Sequence, residues 1–145
     1  MTEILWRFKD HPVTRFSAGS VLITEGQQTG RLFVIASGKV EVVRKGTAVI
    51  RFDEPGTVLG EIATLLQAPH TATVRAETDV TAFVIDNALE WLEERPAMAL
   101  HVGALLADRL QRTTTMLVEM QKAGASEPQR GFFETLFRAL TGQRA

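Results

Sequence analysis

The reading of this chain turns on one stretch, Leu59-Gly60-Glu61-Ile62-Ala63-Thr64-Leu65-Leu66-Gln67-Ala68-Pro69-His70-Thr71-Ala72-Thr73-Val74. Gly60 lacks a Cβ and so permits a tight turn or a close backbone approach. A short helical turn starting there aims several amide N–H groups outward, and such groups attract an anion, a phosphate above all. Glu61 is out of place for phosphate alone, because like charges repel. Its carboxylate makes sense as the acceptor of a hydrogen bond from a ligand hydroxyl beside the phosphate. Thr71, past a short loop, can donate its hydroxyl to a phosphate oxygen. A sugar phosphate fits these groups better than a bare anion.

On either side of this stretch, from Val13 to Asp86, short apolar or alternating runs follow one another. They are Val21–Ile23, Leu32–Ile35, Val40–Val43, Ala48–Phe52, Thr71–Arg75 and Val80–Ile85. All are rich in β-branched residues, and glycines at 19, 26, 30, 38 and 46 and the pair Pro55-Gly56 punctuate them. Short strands at this spacing predict an antiparallel barrel, roll or sandwich. Ahead of them, residues 2–10 carry Ile4, Leu5 and Phe8 at helical spacing, and Pro12 ends that helix.

After Asp86 the period becomes helical. Asp86 is a plausible N-cap for a helix over Asn87–Glu94, and Pro96 suits the first turn of a second helix reaching about Lys122. Leu106, Leu110, Thr113, Leu117 and Met120 alternate along it at spacings of four and three. That seam serves a homodimer or packing on the roll, and the pattern admits both. Ala123–Pro128 reads as a linker, and Phe132, Phe133, Leu136, Phe137 and Leu140 then share one helical face. This last helix either folds back or docks a partner protein. Its few arginines do not make a membrane-binding polar face.

Bulk composition narrows the function classes. The chain has 145 residues, 45% hydrophobic and 23% charged, a balance that suits one globular domain. It has no cysteine, which removes disulfides, thiolate catalysis and Cys-ligated zinc and fits a cytoplasmic location. No secretory h-region opens the chain, and no apolar run reaches the ~18 residues of a membrane span. A net charge of −1 and a pI near 6.3 lack the basic excess of a nucleic-acid binder. No nucleophile–base spacing and no metal-ligand cluster is visible, so an enzyme is not expected. His11 and His101 read as structural.

The stretch from Gly60 to Val74 resembles the phosphate-binding cassette of cyclic-nucleotide-binding domains: Gly-Glu, a short apolar helix, then Pro-Arg-Ser/Thr-Ala-Thr-Val. The resemblance extends over residues 13–122. Phe16–Gly26 is similar to the family's first strands, and Leu32-Phe33-Val34-Ile35-Ala36-Ser37-Gly38-Lys39-Val40-Glu41-Val42 to its Gly-Lys hairpin. It implies an α+β, mainly β fold, an eight-stranded antiparallel β-roll of jelly-roll type with flanking helices and a long C-terminal helix. The roll would occupy about 13–86 and the helices 87–122, with 123–145 a linker and a short helix. It implies further that the backbone of Gly60, Glu61, Ile62 and Ala63 receives the cyclic phosphate, with Glu61 on the ribose 2′-hydroxyl. Thr71 and Ala72 would close the other side. Ala107–Thr114 also resembles the long helix of bacterial cAMP receptor proteins, which implies that Thr113 and Thr114 meet the adenine amino group. The implied ligand is cAMP, with cGMP second, and the implied role is sensing for an effector protein.

Two positions depart from the pattern. The cassette's arginine is His70 here. Arginine offers phosphate a permanent charge and a planar fork, whereas histidine has a pKa near ~6.5 and one short donor per oxygen. Loss of such a contact is worth roughly 1.5–3 kcal/mol. A weakened or pH-sensitive pocket is the expectation, with His70 recovering some affinity if phosphate protonates it. Arg31 and Arg75 are candidate substitutes, although Arg75 is expected on a strand face away from the pocket. The second departure is that 23 residues follow Lys122, too few for the DNA-binding domain of the transcription factors in this family, so DNA binding is not expected. The competing reading is a ligand-independent interaction or dimerisation module that kept the roll and lost the nucleotide.

Overall fold

The computed structural model describes residues 3–123, Gly131 and Arg138. The helix expected over Phe132–Leu140 lies outside the described residues. Helix α1 (Glu3–Arg7) precedes eight strands: β1 (Thr14–Phe16), β2 (Val21–Ile23), β3 (Leu32–Ser37), β4 (Val40–Arg44), β5 (Thr47–Phe52), β6 (Val58–Leu59), β7 (Thr73–Ala76) and β8 (Val80–Ile85). Helix α2 (Glu61–Leu66) interrupts them between β6 and β7, and α3 (Ala88–Glu93) and α4 (Pro96–Lys122) follow β8. The strands form two antiparallel four-stranded sheets, ordered β1-β8-β3-β6 and β2-β7-β4-β5. This is the expected eight-stranded roll.

Alternation along the strands explains the core. On β3, Phe33 and Ile35 face the opposite sheet, and on β8 Val80 and Ala82 do the same. They meet Ile23, Val40, Val74 and Ala76 in one buried cluster. The other face of β3 and β8 is also covered, so Val34 and its cross-strand partner Phe83 are buried too. Phe8, at the end of α1, stacks on Phe83 at 4.9 Å and on Trp91 of α3 at 5.6 Å. Both faces of these strands being buried accounts for their continuous apolar runs. The β3–β4 turn depends on Gly38, at φ +96°, where a Cβ would collide with the backbone carbonyl of Asp79.

Asp86 does not cap α3. The N-cap is Asn87, in the left-handed region at φ 48° and without a side-chain cap bond. Asp86 instead accepts a 2.7 Å hydrogen bond from Arg31 Nε, which draws the carboxylate away from the helix amides. Pro96 does open α4, as its missing N–H allows. The structure comprises two compact units, Met1–Pro96 and Ala97–Ala145. Within the second, α4 exposes Leu110, Met116 and Met120 (42%, 62% and 57%). No helix among the described residues is long and apolar enough to cross a membrane.

Candidate functional site

Gly60 begins the site. It sits at φ +88° as the N-cap of α2, and its carbonyl accepts the first helical bond from the Thr64 amide at 3.1 Å. A Cβ on Gly60 would lie 2.6 Å from the Arg31 carbonyl oxygen and 3.6 Å from His70 Cε1. Both the backbone angle and the close approach therefore require glycine. The helix is only six residues long, so the local amides of its first turn matter more than any summed dipole. It ends where Gln67 turns left-handed at φ 51° and donates its N–H back to Ala63 and Thr64. Pro69 follows, which stops any continuation.

Helix α2 is oriented by an unusual division of its side chains. Glu61, Ala63 and Thr64 are buried, whereas Ile62, Leu65 and Leu66 are exposed. An amphipathic helix normally does the opposite with a carboxylate. Glu61 is 5% exposed, so its carboxylate is directed into the protein. That is the placement needed to accept a hydroxyl from a ligand held within the roll.

His70 is not a surface loop residue. It is 4% exposed, and its Nε2 lies 3.0 Å from Thr29 Oγ1, the tautomer deciding which of the two donates. Burial moves its pKa below the usual imidazole value, because the interior disfavours the charged form. Backbone bonds pin it further: His70 N donates to Gln27 O, and Gly26 N donates to His70 O, both at 2.8 Å. Gln28 Nε2 reaches the Gln67 carbonyl and the Glu25 amide reaches Thr73 Oγ1, each at 3.0 Å. The β2–β3 loop is thus laced to the α2–β7 loop along its length. Sequence reasoning missed Thr29 and this loop. The only hint was the pair of glycines, Gly26 and Gly30, that brackets it.

Thr71 is exposed beside His70, and Ala72 is half-buried at the entry to β7. Neither substitute arginine is available without breaking a bond. Arg31 is held by Asp86, and Arg75 donates to Glu41 at 3.0 Å across β4 and β7. Gly60, Glu61 and His70 come together, then, with Thr71 adjoining, and neither Arg31 nor Arg75 stands in for the arginine the cassette pattern carries. Thr113 and Thr114 belong to α4 in the second unit. Thr113 is exposed, and Thr114 Oγ1 donates to the Leu110 carbonyl at 2.9 Å, which leaves its oxygen as an acceptor. His11 lies against Phe8, edge to face at 5.2 Å. Among the described residues no group of three His, Cys, Asp or Glu side chains could hold a metal ion.

Comparison with known proteins adds an independent line. The family model described as the cyclic nucleotide-binding domain matches residues 13–90. The cGMP-dependent protein kinase egl-4 of Caenorhabditis elegans is 40% identical over 88 residues, 60% of this chain and 11% of the kinase. A CRP-like cAMP-activated global transcriptional regulator of Mycobacterium tuberculosis is 30% identical over 111 residues, 72% of this chain and 50% of the regulator. Among solved structures, the regulatory subunit of a cAMP-independent protein kinase A from Trypanosoma cruzi, bound to guanosine, matches with a TM-score of 0.50 and 28% identity. That match covers 54% of this chain and 28% of the subunit. The chain spans half or less of the length of each of these proteins.

Proposed function

The chain belongs to the cyclic nucleotide-binding domain family, and we propose that it is a sensory domain that binds cAMP at the segment from Gly60 to Ala72. The observation that carries this reading is the inward Glu61 beside Gly60 and His70. A carboxylate placed inward, next to a glycine turn, suits a ribose 2′-hydroxyl and an adjoining cyclic phosphate. In this reading the first-turn backbone of Gly60, Glu61, Ile62 and Ala63 receives the phosphate. Thr71 and the Ala72 backbone close over it, and Thr113 and Thr114 meet the base. cGMP is the second ligand of choice, since relatives named for each nucleotide match.

Signalling follows from population shift. The ligand must bind one placement of α4 more tightly than another, since equal affinity for both would move nothing. The exposed Leu110, Met116 and Met120 make α4 the surface through which a change is passed to a second copy of the chain or to an effector protein.

His70 gives the site its particular chemistry. In the free protein burial keeps it neutral near pH 7, so phosphate enters a site lacking the expected cation. A phosphate beside it favours the charged imidazole, and binding then takes up a proton. Affinity for cAMP therefore rises as pH falls, by at most about tenfold per pH unit for one proton. Calorimetry in buffers of different ionisation enthalpy reads that uptake directly.

The same observation supports a second reading, in which the ligand is a nucleoside without phosphate. A neutral, buried His70 and an inward Glu61 suit a ribose better than an anion, and one similar structure holds guanosine. Guanosine binding would then be independent of pH between 6 and 8, with no proton taken up. Loss of saturable binding of cAMP, cGMP and guanosine alike would leave the ligand-independent interaction module.

A further inference from the structure

The polar neighbours of Thr29 bear on where the proton of His70 sits. The Arg31 backbone N–H donates to Thr29 Oγ1 at 3.3 Å. A backbone N–H can only donate, so the threonine oxygen uses one lone pair there and keeps its own proton for a second bond. The second partner is His70 Nε2, at 3.0 Å. A hydroxyl that accepts one bond and donates the other has both its functions filled, and Nε2 is then the unprotonated nitrogen. In a neutral imidazole that leaves the proton on Nδ1.

Both partners are held in place. His70 N donates to the Gln27 carbonyl and Gly26 N to the His70 carbonyl, each at 2.8 Å, so the histidine backbone is fixed to the loop that carries Thr29. Ala88 N donates to the Gly30 carbonyl at 2.9 Å, which ties the far end of that loop to the start of α3. The ring's Cε1, between its two nitrogens, stands 3.6 Å from where a Cβ on Gly60 would be. Nδ1 has no hydrogen-bond partner among the described residues, yet it is not sealed off: the one enclosed and unpaired side-chain polar atom among them is Thr64 Oγ1. Nδ1 is therefore the ring atom left for a ligand.

We propose that Thr29 is a positioning residue that fixes His70 as the Nδ1–H tautomer, so that the ring presents a donor to the ligand phosphate. This rests on reading the segment from Gly60 to Ala72 as a phosphate site. An ionised phosphate oxygen accepts, and the opposite tautomer would turn a lone pair towards it. The other lone pair of Thr29 Oγ1 suits an Nε2–H, so the bond also survives when phosphate charges the ring.

The test is long-range proton–nitrogen NMR of the His70 imidazole in the whole isotope-labelled chain at pH 7.5, first without ligand. A protonated Nδ1 and a bare Nε2 are expected in the parent chain and in Thr29→Ser, and a mixture of tautomers in Thr29→Val. Titration with cAMP gives the second readout. Thr29→Val should weaken binding about three- to tenfold, the range of one neutral hydrogen bond, and Thr29→Ser should stay within about twofold. In a His70→Gln background Thr29→Val should weaken binding no further. A ring protonated at Nε2 in the free parent chain would overturn the proposal. So would equal weakening by Thr29→Val in both backgrounds, because loop packing and not the imidazole would then be responsible. A parent chain that shows the expected tautomer but binds no cAMP would overturn the phosphate reading and leave the hold of Thr29 on the tautomer standing.

Discussion

At the scale of the residue, His70 is held by its ring and by both its backbone groups. The exposed Thr29 and the buried His70 share a part-buried 3.0 Å bond, which Thr29→Val would remove. A loss of about 0.5–1.5 kcal/mol in denaturant unfolding is expected. The lowered pKa also fixes a sign. The unfolded chain binds the proton more readily than the native one, so His70 contributes stability that is present above its ordinary value near 6.5 and lost as pH falls through its lower native value. The unfolding midpoint should therefore drop between pH 7 and pH 5, and His70→Gln should flatten that drop. Gly60→Ala combines a strained φ of +88° with a 2.6 Å approach to the Arg31 carbonyl and should destabilise by more than about 1 kcal/mol. The sequence made Gly60 legible through its place before Glu61. It could not make the role of Thr29 legible, because that contact joins residues 41 positions apart by way of tertiary structure.

At the scale of the element, the strands were the legible part and the caps were not. Alternation and glycine punctuation locate six of the strands from local pattern. The two-residue β6 has too few positions to show a period. Asp86 looked like an N-cap because its side chain is the right kind, but a nearby arginine competed for the same carboxylate and took it. The fate of an exposed carboxylate is decided by its neighbours in space, which no local pattern records. Arg75, expected on a strand face away from the pocket, is exposed and pairs with Glu41 opposite it on β4. Arg75→Ala is accordingly expected to leave cyclic-nucleotide affinity within about twofold, as measured by titration, while Glu61→Ala weakens it at least tenfold. The helical cover over β8 is a different matter: Phe8 is 1% exposed and stacks on two aromatic rings. Phe8→Ala should cost about 3–5 kcal/mol of stability.

At the scale of the whole molecule, the β-roll carries the proposed ligand groups, and a long helix with exposed apolar residues follows it. The seam read from spacing, Leu106 to Met120, includes residues the structure leaves exposed, Leu110 and Met120 among them. If that seam joins two copies, the chain sediments as a dimer at micromolar concentration and L110E/L117E sediments as a monomer with an unchanged melting temperature. A monomeric parent chain would instead assign the helix to an effector. In the proposed function, a buried, neutral imidazole where the cassette pattern carries a fixed guanidinium would couple phosphate binding to uptake of a proton.

The most direct test is therefore a calorimetric titration of the purified chain with cAMP, cGMP and guanosine at pH 6 and pH 8. Saturable cAMP binding, tighter at pH 6 and accompanied by uptake of a proton that His70→Gln abolishes, is the predicted result. Absence of binding by any of the three ligands at millimolar concentration would contradict a sensory role for the cassette. Guanosine binding that does not change with pH, without cAMP binding, would contradict the phosphate role of His70.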